Sequence, residues 1–211
     1  MKKRIALLFF RAGFAAGLLS LLTACSGLRL IDTRVQALAA QPTQTQALKG
    51  ARYRFERLPS QGTSPHMERL EAMADKALTQ VGLVRDDAQA TVTILLTLRS
   101  NSFLADPWGN PIAGWSWPGN GRAVYGAGGI GGGGSMIGFG MRFPPPTAYN
   151  REVSLIFRNL ANGQIVYETR AHHSGPWSDT EAIVAAMLEA AMVDFPNPPA
   201  GIRQVNIEIP R

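Results

Sequence analysis

Few side chains in this sequence come with the partners that chemistry requires. His172 and His173 are adjacent, and adjacent residues on a strand point to opposite faces, so the two are not expected to ligate one metal ion. His66 has no second ligand near it in sequence, and Ser174-Gly175 lacks the flanks of a nucleophile elbow. Gly126-Ala127-Gly128-Gly129-Ile130-Gly131 has the spacing of a dinucleotide fingerprint, with Glu152 near the offset of the ribose-binding acid. Yet more glycine follows where a helix must start, and Pro144-Pro145-Pro146 bars a helix running up to Glu152. That stretch is expected to be a glycine-rich excursion, not a nucleotide site. With no paired acid and base, the protein is expected not to be an enzyme, and to hold no cofactor and no metal.

Trp108, Trp115 and Trp117 are the candidate partner-contact residues. Indole joins a large apolar face to one N–H donor, which suits a sugar ring, a membrane interface or a protein partner, and suits covering a sheet equally well. They open a segment of about 50 residues unlike the rest, in which Gly119–Gly140 holds 11 glycines in 22 residues. Loops beyond roughly 12–15 residues are uncommon in compact domains, so the insertion is expected to be functional or disordered.

Cys25 is the single cysteine. Lys2, Lys3 and Arg4 form a positive start, Arg11 interrupts the first apolar run, and Ala12–Ala24 then has the length of a signal-peptide core, roughly 7–15 residues. A retained membrane helix needs about 20 apolar residues, which Arg11 does not leave. Leu22-Thr23-Ala24-Cys25 resembles the lipobox of bacterial lipoproteins. That resemblance implies a diacylglyceryl thioether on Cys25, usually with a further acyl chain on its amino group, and two or more chains make a stable anchor. Ser26 follows the cysteine where an aspartate would favour the inner membrane, so the resemblance implies the outer membrane, facing the periplasm. A lipidated Cys25 leaves no thiol for catalysis, metal binding or an internal disulfide.

The formal charge of +6 lies mostly in the signal: without Lys2, Lys3, Arg4 and Arg11, 17 basic and 15 acidic residues remain. So small an excess implies no nucleic-acid partner. The expected organisation is a signal peptide over 1–24; an anchor, tether and candidate first strand over 25–49; and one domain over 50–211 with its insertion at 101–149.

The elements that would hold these residues follow from periodicity. Leu28–Val35 is a candidate first strand, and Ala39–Gln46 reads as a loop. Ala51–Arg57 alternates apolar and charged residues, as a half-buried strand does. Ser64 caps a helix from Pro65 to Val81 that Gly82 ends; Glu68, Arg69, Glu71, Asp75 and Lys76 are expected on its solvated surface. Ala90–Arg99 and Arg151–Leu160 alternate strongly, and Asn162-Gly163 turns the second into a hairpin with Gln164–His172. A second helix opens at a Ser178–Glu181 capping box, and Val205–Ile209 reads as a last strand at an edge or an extended tail. The expected fold is α+β, an antiparallel sheet of about five or six strands with two helices on one face.

In this order the elements resemble the bacterial lipoprotein family of domain of unknown function 4136. The resemblance rests on the lipobox, Tyr53-x-Phe55 with Leu58-Pro59, and Leu78-x-x-Val81-Gly82-Leu83. It continues through Ala90-Thr91-Val92, Leu155–Gln164, Ile165-Val166-Tyr167 and Phe195-Pro196. The chain lacks the tryptophan usual after the first strand, and its insertion is long. The resemblance implies a lipid-anchored α+β domain and brings no catalytic residues. The expected function is a non-enzymatic outer-membrane lipoprotein, an interaction or envelope-assembly module docking an envelope protein or polymer. The alternatives are a binder of a lipid or glycan and, weakened by the missing acid and base, an enzyme of the cell wall.

Overall fold

The computed structural model describes residues 27–62, 64–106, 109–111, 123–124, 142–143 and 146–210. In chain order the elements are β1 (Leu28–Ala39), α1 (Pro42–Gln46), β2 (Arg52–Glu56), α2 (Pro65–Gln80), β3 (Val84–Arg85) and β4 (Val92–Leu104). They continue with β5 (Ala123–Val124), β6 (Arg142–Phe143), β7 (Thr147–Asn159), β8 (Ile165–Gly175), α3 (Thr180–Met192) and β9 (Ile202–Pro210). Seven strands form one sheet in the order β3-β2-β4-β7-β8-β1-β9, and β5 and β6 pair with each other.

This corrects the expected fold. The sheet is mixed, because β2 runs parallel to both β3 and β4, and three helices stand among the described residues. Alternation at period two reveals a strand but not its direction. The parallel pairing arises because α2 carries the chain back from the end of β2 to the start of β3. β3 is only two residues long, too short to show a period. α1 spans five residues, Pro42-Thr43-Gln44-Thr45-Gln46, with no apolar stripe. Burial of Thr45 in it and of Leu48 just after it fixes a segment whose composition reads as loop.

α2 begins as expected, with Ser64 accepting the Met67 amide at 3.2 Å and Pro65 at the first position. It ends on Gly82 at φ +86°, a left-handed conformation that glycine adopts without strain, and Leu83 is then buried. One surface assignment changes. Glu71 is buried and meets Arg57 through two bonds of 2.6 and 3.0 Å, with Arg85 at 3.5 Å.

α3 is corrected at its start. The N-cap is Asp179, not Ser178, and its side chain caps no amide; it pairs with Arg29 on β1 instead. The helix buries Ile183, Val184, Ala186, Met187, Leu188, Ala190, Ala191 and Met192, and packs on β7, β8, β1, β9 and α2. A helix apolar round most of its circumference belongs in a core. No described helix is long and apolar enough to cross a membrane.

Between sheet and helices lie Ile31, Val35, Ile94, Leu96, Val153, Leu155, Phe157 and Tyr167, all buried. Each large apolar side chain contributes roughly 1.5–3 kcal/mol on burial. The hairpin of β7 and β8 is present, with Gly163 at φ +70° in its turn. Phe195, from the Phe195-Pro196 pair, packs 5.5 Å from Phe157 and 5.0 Å from Tyr167. The residues that carried the family resemblance are therefore mostly core and turn positions.

The ladders also fix which ends lie together. Arg34 pairs with His172, Tyr149 with Gly175, and Ser102 with Tyr149. Leu28, Gly175, Thr147 and Leu104 consequently lie at one end of the sheet. The insertion leaves from the end at which β1 begins.

Candidate functional site

Cys25, Trp108, Trp115 and Trp117 lie outside the described residues, as does the glycine-rich Gly126–Gly131. What is described is the root of the insertion. Ala105 bridges Pro111, and the Asp106 carboxylate accepts from the amide of Asn110 at 2.8 Å and from its side-chain Nδ2 at 3.0 Å. The two adjacent histidines do point to opposite faces. His173 is buried beneath the helices, whereas His172 is half-buried on the open face between Arg34 and Glu152. Burial lowers the His172 pKa, the Arg34 cation lowers it further, and Glu152 partly offsets both. His66 is exposed at the start of α2.

Two features can act on another molecule. The first is the edge strand β9. It pairs with β1 along its whole length, from Leu28 opposite Pro210 to Gln36 opposite Ile202, and with no other described strand. One row of its backbone N–H and C=O groups therefore faces outward, the template to which a further strand can add. Its side chains alternate strictly. Val205, Ile207 and Ile209 lean on the core and stay half-exposed, while Gln204, Asn206 and Glu208 stand on the open face. Ile202 is 70% exposed. Sequence periodicity reached this strand but not its length or its exposed edge.

The second feature is a buried polar cluster under the start of α3, which the sequence reading missed. Arg151 occupies the position in β7 that the stripe of Val153, Leu155 and Phe157 reserves for an apolar residue, and it is 0% exposed. Its Nη2 donates to the Trp177 carbonyl at 2.9 Å and to Thr180 Oγ1 at 3.0 Å. Among the described residues its Nε and Nη1 have no partner, and no carboxylate reaches it. The guanidinium lies 4.8 Å from the centre of the Tyr149 ring. Burial pulls its pKa down, as it does for any cation removed from water, yet an arginine keeps its charge.

His173 faces Arg151 directly across the ladder and breaks the stripe of β8 in the same way. Its Nδ1 lies 2.7 Å from the Asp32 carbonyl and so carries the donated proton; its Nε2 has no described partner. Gly175 makes room for that ring, because a Cβ there would stand 3.0 Å from Nε2. Thr33 Oγ1 on β1 and Asn150 Oδ1 on β7 are likewise buried without a described partner. Arg29 stacks 5.1 Å over Trp177, and its charge is matched by Asp179, with Nη1 to Oδ1 at 2.8 Å. The available signal in the sequence was a polar residue interrupting each of three apolar stripes at one end of the sheet: Thr33, Arg151 and His173.

Comparison with known proteins places this geometry in context. A family model described as "Domain of unknown function (DUF4136)" matches residues 40–197. No curated protein matches. Among solved structures, a PDZ domain protein from Parabacteroides distasonis aligns at TM-score 0.48 and 12% identity, over 92% of this chain and 41% of its own. The chain thus spans well under half the length of that protein. A PelC dodecamer from Paraburkholderia phytofirmans aligns at TM-score 0.44 and 9% identity, over 79% of this chain and 99% of its own. The matched family segment stops short of β1 and β9, the two strands that pair with one another from opposite ends of the chain.

Proposed function

The chain belongs to the DUF4136 family, and from that premise and the geometry above we propose that it is a lipid-anchored interaction module of the outer membrane. It faces the periplasm, performs no catalysis, and docks an extended segment of an envelope protein along β9. The observation that carries this reading is the edge itself: nine residues of strand with one row of backbone groups facing outward, beside half-exposed Val205, Ile207 and Ile209. A strand added there gains main-chain hydrogen bonds for affinity, and those side chains supply selectivity.

The anchor complements this reading. Cys25 stands three residues before Leu28, a reach of at most about 10 Å of extended chain. A lipid on Cys25 therefore holds the start of β1, the end of β9 and the root of the insertion beside the membrane. Cys25→Ser should release soluble or unprocessed protein on fractionation; correctly cleaved protein that stays with membranes contradicts the anchor.

The docking edge is tested by placing a photo-crosslinking residue at Gln204, Asn206 or Glu208 in the full-length protein in cells. A discrete adduct from these positions, absent from a probe at exposed Arg54 on β2 near the opposite edge, supports the proposal. Adducts of equal yield from both surfaces, or none from β9 with the protein folded and anchored, contradict it.

A further inference from the structure

Arg151 is a cation sealed from water without a counter-charge among the described residues, and the N-terminus of α3 beside it shares its preference for an anion. Its Nε and Nη1 are donors without a described partner. Its Nη2 touches Thr180, the first residue of the 13-residue α3, whose N-terminal amides and dipole favour negative charge. Arg29 brings a second guanidinium, already offset by Asp179, so the cluster keeps the excess positive charge of Arg151. With Nδ1 donating to the Asp32 carbonyl, Nε2 is the ring nitrogen of His173 left to meet a hydroxyl of the ligand.

We propose that this cluster binds a phosphate oxyanion, its ionised oxygens on Arg151 and a hydroxyl on His173. The group is borne either by free phosphate, with a hydroxyl on phosphorus, or by a glycerol-bearing lipid head group. Unpaired buried ionic groups are costly, and an arriving oxyanion supplies a charge-assisted partner to a free N–H of Arg151, Nη2 being held by Trp177 and Thr180. The cover is the connection Pro176–Asp179, four residues between β8 and α3, and the ligand enters where that strap moves aside. The site lies at the end of the sheet where β1 begins, so the lipid source rests on the anchored reading and the free-phosphate source does not. Neither depends on docking at β9.

The test is the thermal midpoint of the full-length protein in mild detergent. Three additions are compared: sodium phosphate against sodium chloride at equal ionic strength, phosphatidylglycerol in mixed micelles with that detergent, and phosphatidylcholine in the same form. Saturable binding at a hundredfold excess over Kd raises the midpoint by roughly 5–10 °C. Arg151→Met, which removes the charge and keeps the length, should fold and lose that rise, whereas Lys49→Met, on the exposed turn before β2, should keep it. A rise with phosphate identifies the free anion, and a rise only with phosphatidylglycerol identifies the head group. No rise with either, or an equal rise in Arg151→Met, overturns the proposal. Should Arg151→Met not fold, Arg151→Lys and His173→Gln carry the comparison: each should weaken apparent affinity at least threefold, and unchanged affinity in both overturns the proposal.

Discussion

The two edges of the sheet are built in opposite ways. At one edge β3 is two residues long and surrounded by charge. Arg85 lies 5.0 Å over the Phe55 ring and reaches buried Glu71, and Asp86 accepts from the amides of Ala88 and Gln89 and from Arg52. Short strands and charged side chains are the ordinary means by which an edge is kept from pairing. At the other edge β9 runs for nine residues, with half-exposed Val205, Ile207 and Ile209 and exposed Ile202. Only Arg203, Glu208 and Pro210 interrupt it. This difference is why the proposed docking is placed on β9 rather than on β3.

That contrast can be broken from either side. The largest effect is expected from proline in β9. Of Val205→Pro and Asn206→Pro, one removes an amide bonded to β1 and should cost about 3 kcal/mol in urea unfolding. The other removes an outward amide and should leave stability within about 0.5 kcal/mol while abolishing the crosslinked adduct. Equal costs for the two prolines would deny that one row of amides faces outward.

At the opposite edge the dissociation should reverse. Glu71→Ala strips the partner from Arg57 and Arg85 and should cost about 2 kcal/mol, with adduct yield unchanged in the protein that remains folded. Asp86→Ala should lower Tm by only a few degrees, again without loss of adduct. A fall in adduct yield with Asp86→Ala would mean that docking uses the β3 edge.

The smallest effect is one of pH. The amides of Gln89 and Ala88, helped by the Arg52 cation, hold the Asp86 pKa below its ordinary value of 3.8. A depressed carboxylate contributes stability that is present above the unfolded pKa and lost as pH falls through the folded one. Acid should therefore loosen the β3 edge below about pH 4, visible as lower amide protection factors at Val84 and Thr91, taken against the intrinsic exchange rate at each pH. β9 has no such dependence on Asp86, so simultaneous loosening of both edges would blur the distinction.

How much of this was legible in the sequence varied with length and period. β4, β7 and β8 announce themselves because long runs alternate, and α2 is bounded by Ser64-Pro65 and Gly82, whose conformations admit few alternatives. β3 and α1 were not legible, since two residues carry no period and a five-residue polar helix is held by what surrounds it. Nor does alternation state direction, which is why the parallel neighbours of β2 overturned an all-antiparallel sheet. Ser178 and Glu181 matched a capping box that Asp179 displaced by one position, because its carboxylate is drawn to Arg29 across the sheet. Arg151 could be seen as a polar break in an apolar stripe, but that the break is buried follows only from α3 lying over it. Cys25 and the three insertion tryptophans, the residues that sequence favoured, lie outside the described structure; β9 and Arg151 stand as candidates from the fold.

The most direct test of the docking edge is amide hydrogen exchange along β9 in the full-length protein, first purified in detergent and then in native membranes. Alternation is expected in the purified protein, with amides bonded to β1 protected and outward amides exchanging freely, and protection of both sets in the membrane. Outward amides already protected in the purified protein, or equally unprotected in both settings, would contradict it.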